Sequence, residues 1–230
     1  MRNPSLLMSL GLLTLLSAVQ PGFAAGIDSL SNADSVRGLK DALTQGATRA
    51  VSQLGAADGF LGNSSVRIPL PDSLRKIERG LKFMGKGDEA DQLVTSMNRA
   101  AEMAVSEASP VLLDAVKKMS VQDAKGILTG GDTAATDYFR KTTSETLTIK
   151  FLPIVQRATA KVQLAEQYNS LAGQGERLGL VKSEDASIDS YVTRKALDGL
   201  FLVIGEQERA MRQDPLGAAT GLARKVFSAL

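Results

Sequence analysis

The chain has 230 residues and a formal net charge of +2, and it contains no cysteine, histidine or tryptophan. The absence of these side chains excludes zinc sites built from cysteine and histidine, and it excludes Ser-His-Asp and Cys-His catalytic systems. A near-neutral charge without a block of like charges argues against nucleic-acid binding. Aromatic residues make up only 4%, which also disfavours a carbohydrate-binding platform.

The first 24 residues have the layout of a secretory signal peptide. Arg2 precedes an apolar run, Leu6–Val19, that is shorter than the roughly 20 residues needed to cross a bilayer. Gly22 and Ala24 are the small residues expected before a cleavage site. We therefore expect a mature protein that begins after Ala24, has no transmembrane anchor, and is periplasmic or, alternatively, fully secreted.

Apolar residues at three- and four-residue steps predict helices along most of the mature chain. The first helix begins near Asp34 and stops at Gly55. After a glycine-rich loop, the two prolines of Val66–Pro71 predict an extended segment, with a short edge strand as the alternative. The next helix begins at Asp72 or Ser73.

Capping signals mark the helices in the middle of the chain. Asp88 is predicted to cap a long helix, and Ser109-Pro110 is predicted to supply the cap and first residue of another. Ser120 and Asp123 resemble a capping box, and the short helix that they begin is predicted to stop at Thr129.

A long helical pattern follows, with Asp132 as its predicted cap. Its apolar spacing continues to Tyr168 or Leu171, and Pro153 inside the pattern predicts a kink or a break near Phe151.

Gly173–Gly179 is predicted as a loop, and Ser187 or Asp189 as the cap of the next helix. Leu200–Ile204 within that helix is apolar on every face, which predicts a central and buried position. Asp214-Pro215 is predicted to begin the final helix. The sequence thus predicts an all-α fold: a compact bundle of about seven to nine helices, with little or no strand, forming a single domain over residues 25–230.

Several blocks of the chain, taken together and in order, resemble the DUF4197 family of exported bacterial proteins of unknown function. They are Gly38–Leu43 with Ala50-Val51, Asp58–Asn63, Val66–Pro71, Met97–Glu102, Gly131–Arg140 and Tyr191–Phe201. The resemblance covers nearly all of the mature chain. It implies a helical exported protein and carries over no catalytic or binding residue.

The most unusual local sequence is Gly130–Arg140, which brings two acids, a phenol and a guanidinium within about two helical turns. One interpretation is a ligand site formed by Asp132, Asp137, Tyr138 and Arg140 at a helix N-terminus, where backbone N–H groups favour anions. The alternative is an ordinary helix start, with Asp132 as the cap and Asp137 paired with Lys141.

A second candidate site consists of Asn98, Arg99 and Glu102 on a helix whose other face is apolar. Asn98 and Glu102 are one turn apart and could orient the headgroup of a ligand in an apolar pocket. The alternatives are a solvated stripe or a buried hydrogen bond between helices.

Three further patterns have simple structural interpretations. Asp58–Asn63 is either a weak cation loop or a glycine turn. Glu206 and Glu208 are either a catalytic carboxylate pair or part of a solvated charged face. Arg67 lies either on a peptide-docking edge or in a segment that packs across the helices with Leu70 filling a gap.

The leading functional hypothesis is a non-enzymatic binding or interaction protein that holds an apolar or lipid-like ligand between helices, without metal or cofactor. The first alternative is an envelope structural or adaptor protein that acts through protein partners. A carboxylate-dependent hydrolase is the second alternative, and it requires two acids that face one cleft.

Overall fold

The computed structural model describes residues 31–72, 74, 87–177, 186–215 and 220–228. Within these ranges the chain forms eight helices and no strand, so the predicted all-α fold is confirmed. The helices are α1 (Asn32–Gly55), α2 (Gly87–Ser106), α3 (Ser109–Lys118), α4 (Val121–Thr129), α5 (Ala134–Thr159), α6 (Gln163–Arg177), α7 (Ile188–Gln213) and α8 (Gly221–Phe227). The predicted signal peptide and most of the helix predicted from Asp72 or Ser73 lie outside the described residues.

Four long helices, α1, α2, α5 and α7, form the body of the fold. Both α2 and α7 contact each of the other three, while α3 and α4 pack on α1 and α5, α6 packs on α2 and α7, and α8 packs on α1. The buried apolar side chains form one continuous cluster. Its largest members are fully buried aromatic rings that come from the long helices and from the segment after α1: Phe60, Phe139, Phe151 and Phe201.

Residues 56–71, which we call the strap, follow α1 and run across the helices. Phe60, Ile68 and Leu70 point into the core and are 0%, 1% and 4% exposed. No strand forms between Val66 and Pro71, so the edge-strand alternative is wrong and the extended, packed interpretation holds. The strap is therefore part of the core and not a free surface loop.

Serine and threonine caps begin several of the helices as the sequence indicates. The predicted capping box is confirmed, since the Ser120 hydroxyl accepts from the Asp123 backbone N–H and the Asp123 carboxylate accepts from the backbone N–H of Ser120. Ser187 caps α7 by accepting from the Ser190 N–H. Ser31 caps α1, which therefore begins two residues before the predicted Asp34.

Two helices begin earlier than the sequence predicts, α2 by two residues and α3 by one. Asp88 lies in the first turn of α2, where its charge still complements the helix dipole. Ala108 is the N-cap of α3, and Ser109 is its first residue, so Pro110 remains in the first turn, where its missing N–H removes no helix hydrogen bond.

Pro153 does not break α5, so of the two outcomes predicted near Phe151 the break is wrong, while the kink stays a prediction. Proline removes one helix hydrogen bond, but its exposed position leaves the freed Ile149 carbonyl open to water. Phe151 and Val155 on either side are both 0% exposed, and their packing holds the helix together. The break in the long pattern lies at residues 160–162 instead, between α5 and α6.

The predicted loop at Gly173–Gly179 is also wrong over its described part, because α6 continues through Gly173 to Arg177. The apolar stripe of Leu164, Tyr168 and Ala172 continues into this turn, and its packing outweighs the low helix propensity of glycine.

The last two helices correct two further predictions. Leu202 is 41% exposed although its neighbours in Leu200–Ile204 are buried, so α7 has one open side. Asp214 ends α7, with its N–H donating to the Ala210 carbonyl, because Met211 keeps the buried face of α7 intact to its last turn. The final helix α8 begins after its own cap, Thr220.

We predict that Gly199→Ala destabilises the fold by about 1–3 kcal/mol, since the added carbon has no room. A Cβ at Gly199 would lie 2.7 Å from the Phe60 ring and 3.3 Å from Cβ of Val66. Gly126→Ala, at an exposed position of α4, is the matched control. Nothing lies within 4 Å of its added Cβ, so this change should raise the free energy of unfolding by about 0.5–1 kcal/mol. Urea unfolding measures both changes, and a Gly199→Ala protein as stable as wild type would contradict the close packing of the strap.

Candidate functional site

Asn98 on α2 holds the strap by its backbone. Its side-chain carbonyl accepts from the Ile68 N–H at 2.8 Å, and its amide nitrogen donates to the Ile68 carbonyl at 2.9 Å and to the Val94 carbonyl at 2.8 Å. Asn98 is 0% exposed, and these three bonds use both of its N–H donors and one lone pair of its carbonyl oxygen. The Asn98 amide thus makes the two backbone hydrogen bonds to Ile68 that a neighbouring β-strand would otherwise make.

Glu102, one turn further along α2, binds the beginning of the strap. One carboxylate oxygen accepts from the backbone N–H groups of Phe60 and Leu61, both at 3.1 Å, and the other accepts from Arg99 at 2.8 Å. The second guanidinium nitrogen of Arg99 lies 2.8 Å from Asp58, the one described non-glycine residue with a positive φ, at 64°. These charged hydrogen bonds raise the pKa of Arg99 above its ordinary value, with the bond to Glu102 as the largest cause.

The structure thus brings Asn98, Arg99 and Glu102 together, but their polar atoms bind the strap. Neither alternative from the sequence was right in detail: two of the three side chains are buried, and their bonds join a helix to an irregular segment. The sequence carries one sign of this arrangement. Asn98 and Glu102 lie on the same stripe of α2 as the buried Ala101 and Val105, and this spacing predicts that both side chains face inward.

The Gly130–Arg140 segment does not form a single site. Asp132 and Asp137 are exposed, and the Tyr138 hydroxyl donates to the Ala115 carbonyl on α3 at 2.9 Å. Arg140 points the other way, over the ring of Phe201 on α7 at 4.7 Å. The predicted ligand residues therefore face three different directions.

The predicted cap at Asp132 is wrong, because Thr133 is the N-cap of α5 and makes no side-chain capping bond. An acidic side chain from another helix accepts the hydrogen bonds of the first turn of α5 instead. Glu208 on α7 accepts from the Ala135 N–H at 3.0 Å and the Thr136 N–H at 2.9 Å. The helix N-terminus does attract an anion, as the sequence indicates, but the anion is part of the chain.

Glu208 is 4% exposed, and Arg212 one turn later lies 2.9 Å from it and also donates to the Ile127 carbonyl. The interpretation of this stretch as a solvated charged face is therefore wrong for Glu208, although Glu206 is exposed. The missed signal is the position of Glu208 between buried Ile204 and Met211 on one helical face.

A basic groove of about 340 Å³ lies where the strap meets α5 and α7. Three cations line it, Arg67, Arg140 and Lys195, against one acid, Asp198. Arg140 lies 3.8 Å from Asp198 and both are about half exposed, so this weak pair leaves the groove positive. The exposed side chain of Leu202 adds an apolar surface beside the charges. Of the predicted ligand residues only Arg140 lines this groove, together with Arg67 from the segment that the sequence offers as a peptide-docking edge.

A larger open groove of about 690 Å³ lies between α3, α4 and α5, and two acids line it. Asp114 lies 2.7 Å from Lys118, and hydrogen bonds from Ser120 lower the pKa of Asp123 below its ordinary value. Burial, together with the charge of Asp123, raises the pKa of Tyr138 on the groove wall. Both carboxylates are engaged by close neighbours, Asp114 by Lys118 and Asp123 by Ser120, so this arrangement gives the hydrolase hypothesis no support.

One small cavity lies inside the bundle, between described helices. It lies beside Phe139, Ile204 and Glu208, and its volume of about 10 Å³ is about the space of one water molecule. The Asp58–Asn63 turn is likewise engaged, because Asp58 pairs with Arg99 and the Asn63 side chain accepts from the Ser65 N–H. Across the described ranges, no three carboxylates gather where they could hold a metal ion.

A family model described as a protein of unknown function (DUF4197) matches residues 29–228. The chain belongs to the DUF4197 family. No curated protein and no solved structure matches it. Among the helices that the structure describes in this DUF4197 protein, none is both long and apolar enough to cross a membrane.

We predict that Glu208→Ala lowers the free energy of unfolding by about 3–5 kcal/mol, because two buried N–H groups and Arg212 lose their acceptor. Glu206→Ala, two residues earlier on the same helix, is the matched control and should change stability by no more than about 0.5 kcal/mol. Chemical denaturation followed by circular dichroism compares the two, and equal losses would contradict the capping role of Glu208.

Proposed function

We propose that this protein is a non-enzymatic binding protein of the bacterial cell envelope, and that the basic groove binds the anionic group of an amphiphilic ligand. The observation that carries the proposal is the excess of positive charge in the groove, three cations against one half-exposed acid. Guanidinium groups suit carboxylates and phosphates because they donate two parallel hydrogen bonds.

The rigidity of the groove supports a binding role. Arg67 belongs to the strap, whose next residue, Ile68, is held at both backbone atoms by Asn98. The Arg67 backbone N–H donates to the Asn63 carbonyl at 2.8 Å, and the Tyr191 hydroxyl on α7 donates to the Pro69 carbonyl at 3.1 Å. Both neighbours of Ile68 are therefore held as well. A binding site held in place before its ligand arrives loses less conformational entropy on binding.

The surroundings of the charges favour an amphiphile over a small inorganic anion. Leu202 is 41% exposed, and exposed Pro69 lies on the same groove, so apolar surface adjoins the cations. This location on the surface of the bundle differs from the position between helices that the sequence suggests for an apolar ligand. The ligand would lie on the bundle, with its charged end at the arginines and the start of its chain on Leu202.

Export, on which the envelope assignment depends, is a prediction from the first 24 residues. The adaptor alternative also stays a prediction, and the basic groove would then receive an acidic segment of a partner protein. A soluble amphiphile and an acidic peptide differ in their apolar part, so a comparison of small probes distinguishes them.

We predict that decyl phosphate, below its micelle-forming concentration, binds the mature protein more tightly than inorganic phosphate and than neutral decyl glucoside. Arg67→Gln/Arg140→Gln should weaken this binding by about tenfold or more, because it removes charge-assisted hydrogen bonds. Isothermal titration calorimetry measures the affinities.

Arg49→Gln/Lys125→Gln is the matched control, since it removes two positive charges from exposed positions elsewhere on the bundle. This control should retain wild-type affinity. Equal losses in both double variants, or equal binding of decyl glucoside, would contradict a specific anionic site.

A further inference from the structure

A second open groove, of about 660 Å³, runs between α2 and α5 on a different face from the basic groove. Met103 on α2 and Ile149 on α5 line it and are 48% and 67% exposed. Pro153 and Ile154 extend the apolar surface along α5. Large apolar side chains that are exposed together mark an interaction surface, whereas single ones are ordinary.

The charges around this groove have both signs and are unpaired. Glu107 lies at the end of α2, and Lys150 and Arg157 lie on α5. All three are exposed, and no ion pair to any of them occurs among the residues that the structure describes. An acidic partner would leave Glu107 unpaired, and a basic partner would repel the two cations. A surface that carries both signs around an apolar centre fits a copy of itself.

We propose that this face, which we call the α2–α5 face, binds a second copy of the chain in a two-fold symmetric dimer. A two-fold axis places the same patch of both copies in contact. If one residue of the first copy contacts a second residue of the other copy, the reverse contact also forms. Ile149, Pro153 and Arg157 are spaced by four residues along α5. Antiparallel packing centred on Pro153 sets Ile149 of one copy against the aliphatic part of Arg157 of the other.

The same symmetry gives the charges their partners. Glu107 of each copy comes to face the cations of the other, and the pairing occurs twice. Charges at the rim of an interface select the partner, while the apolar centre supplies most of the affinity. The two grooves share no lining residue, so the proposed dimer uses none of the residues of the basic groove.

The first test is sedimentation velocity of the mature protein at concentrations up to about 1 mM, a range that covers weak and strong association. We expect a concentration-dependent dimer. Ile149→Asp should weaken dimerisation by about tenfold or more, since it places a charge at the apolar centre. Val121→Asp is the matched control: Val121 is 55% exposed on α4, away from this face, and its variant should dimerise like wild type.

The second test separates a copy of this chain from any other partner. Glu107→Lys and Arg157→Glu should each weaken the dimer, and the double variant should recover most of the wild-type affinity, because it exchanges the signs on both copies. All these positions are exposed, so the variants should fold, and circular dichroism checks that they do. A wild-type protein that stays monomeric throughout, or dimers that Ile149→Asp leaves unchanged, would overturn the proposal.

Discussion

Two buried carboxylates bound to backbone amides support the rest of this structure. Glu102 and Glu208 are each 4% exposed, and each accepts from two successive backbone N–H groups of a distant segment. Each carboxylate also forms an ion pair with an arginine of its own helix: Glu102 with Arg99, and Glu208 with Arg212. Burial of a charge is costly unless the charge is paired and fully hydrogen-bonded, and both sites meet this condition. One carboxylate fastens the strap to α2, and the other fastens the start of α5 to α7.

The proposed binding surface follows from these two connections. The strap contributes Arg67, α5 contributes Arg140 and α7 contributes Lys195, so the groove exists only where the three segments are held together. Their mutual positions depend on Glu102 for the strap and on Glu208 for α5. Asn98 and Glu102, which the sequence suggests as ligand contacts, therefore lie one layer below the surface and support the strap that lines the groove.

Helix content, the capping box and most buried positions could be predicted from the sequence, because they depend on spacing within one helix. The errors share a cause in packing between segments. Phe151 and Val155 hold α5 together through Pro153, and α6 continues through Gly173 on its apolar stripe. The charged-face interpretation fails at Glu208. A helical pattern shows on which face of its own helix Glu208 lies, but it does not show that the N-terminal amides of another helix pack against that face. The basic groove joins three segments that are far apart in sequence, so spacing along the chain could not reveal it.

Glu102 makes the strap part of the core by binding its Phe60 and Leu61 amides. Native-state hydrogen exchange of the Phe60 and Leu61 amides tests it directly, since irregular surface loops normally exchange fast and core amides exchange only on global unfolding. We expect these two amides to exchange nearly as slowly as those in the middle of α2, although they lie outside any helix. Exchange at the rate of an open surface loop would contradict it.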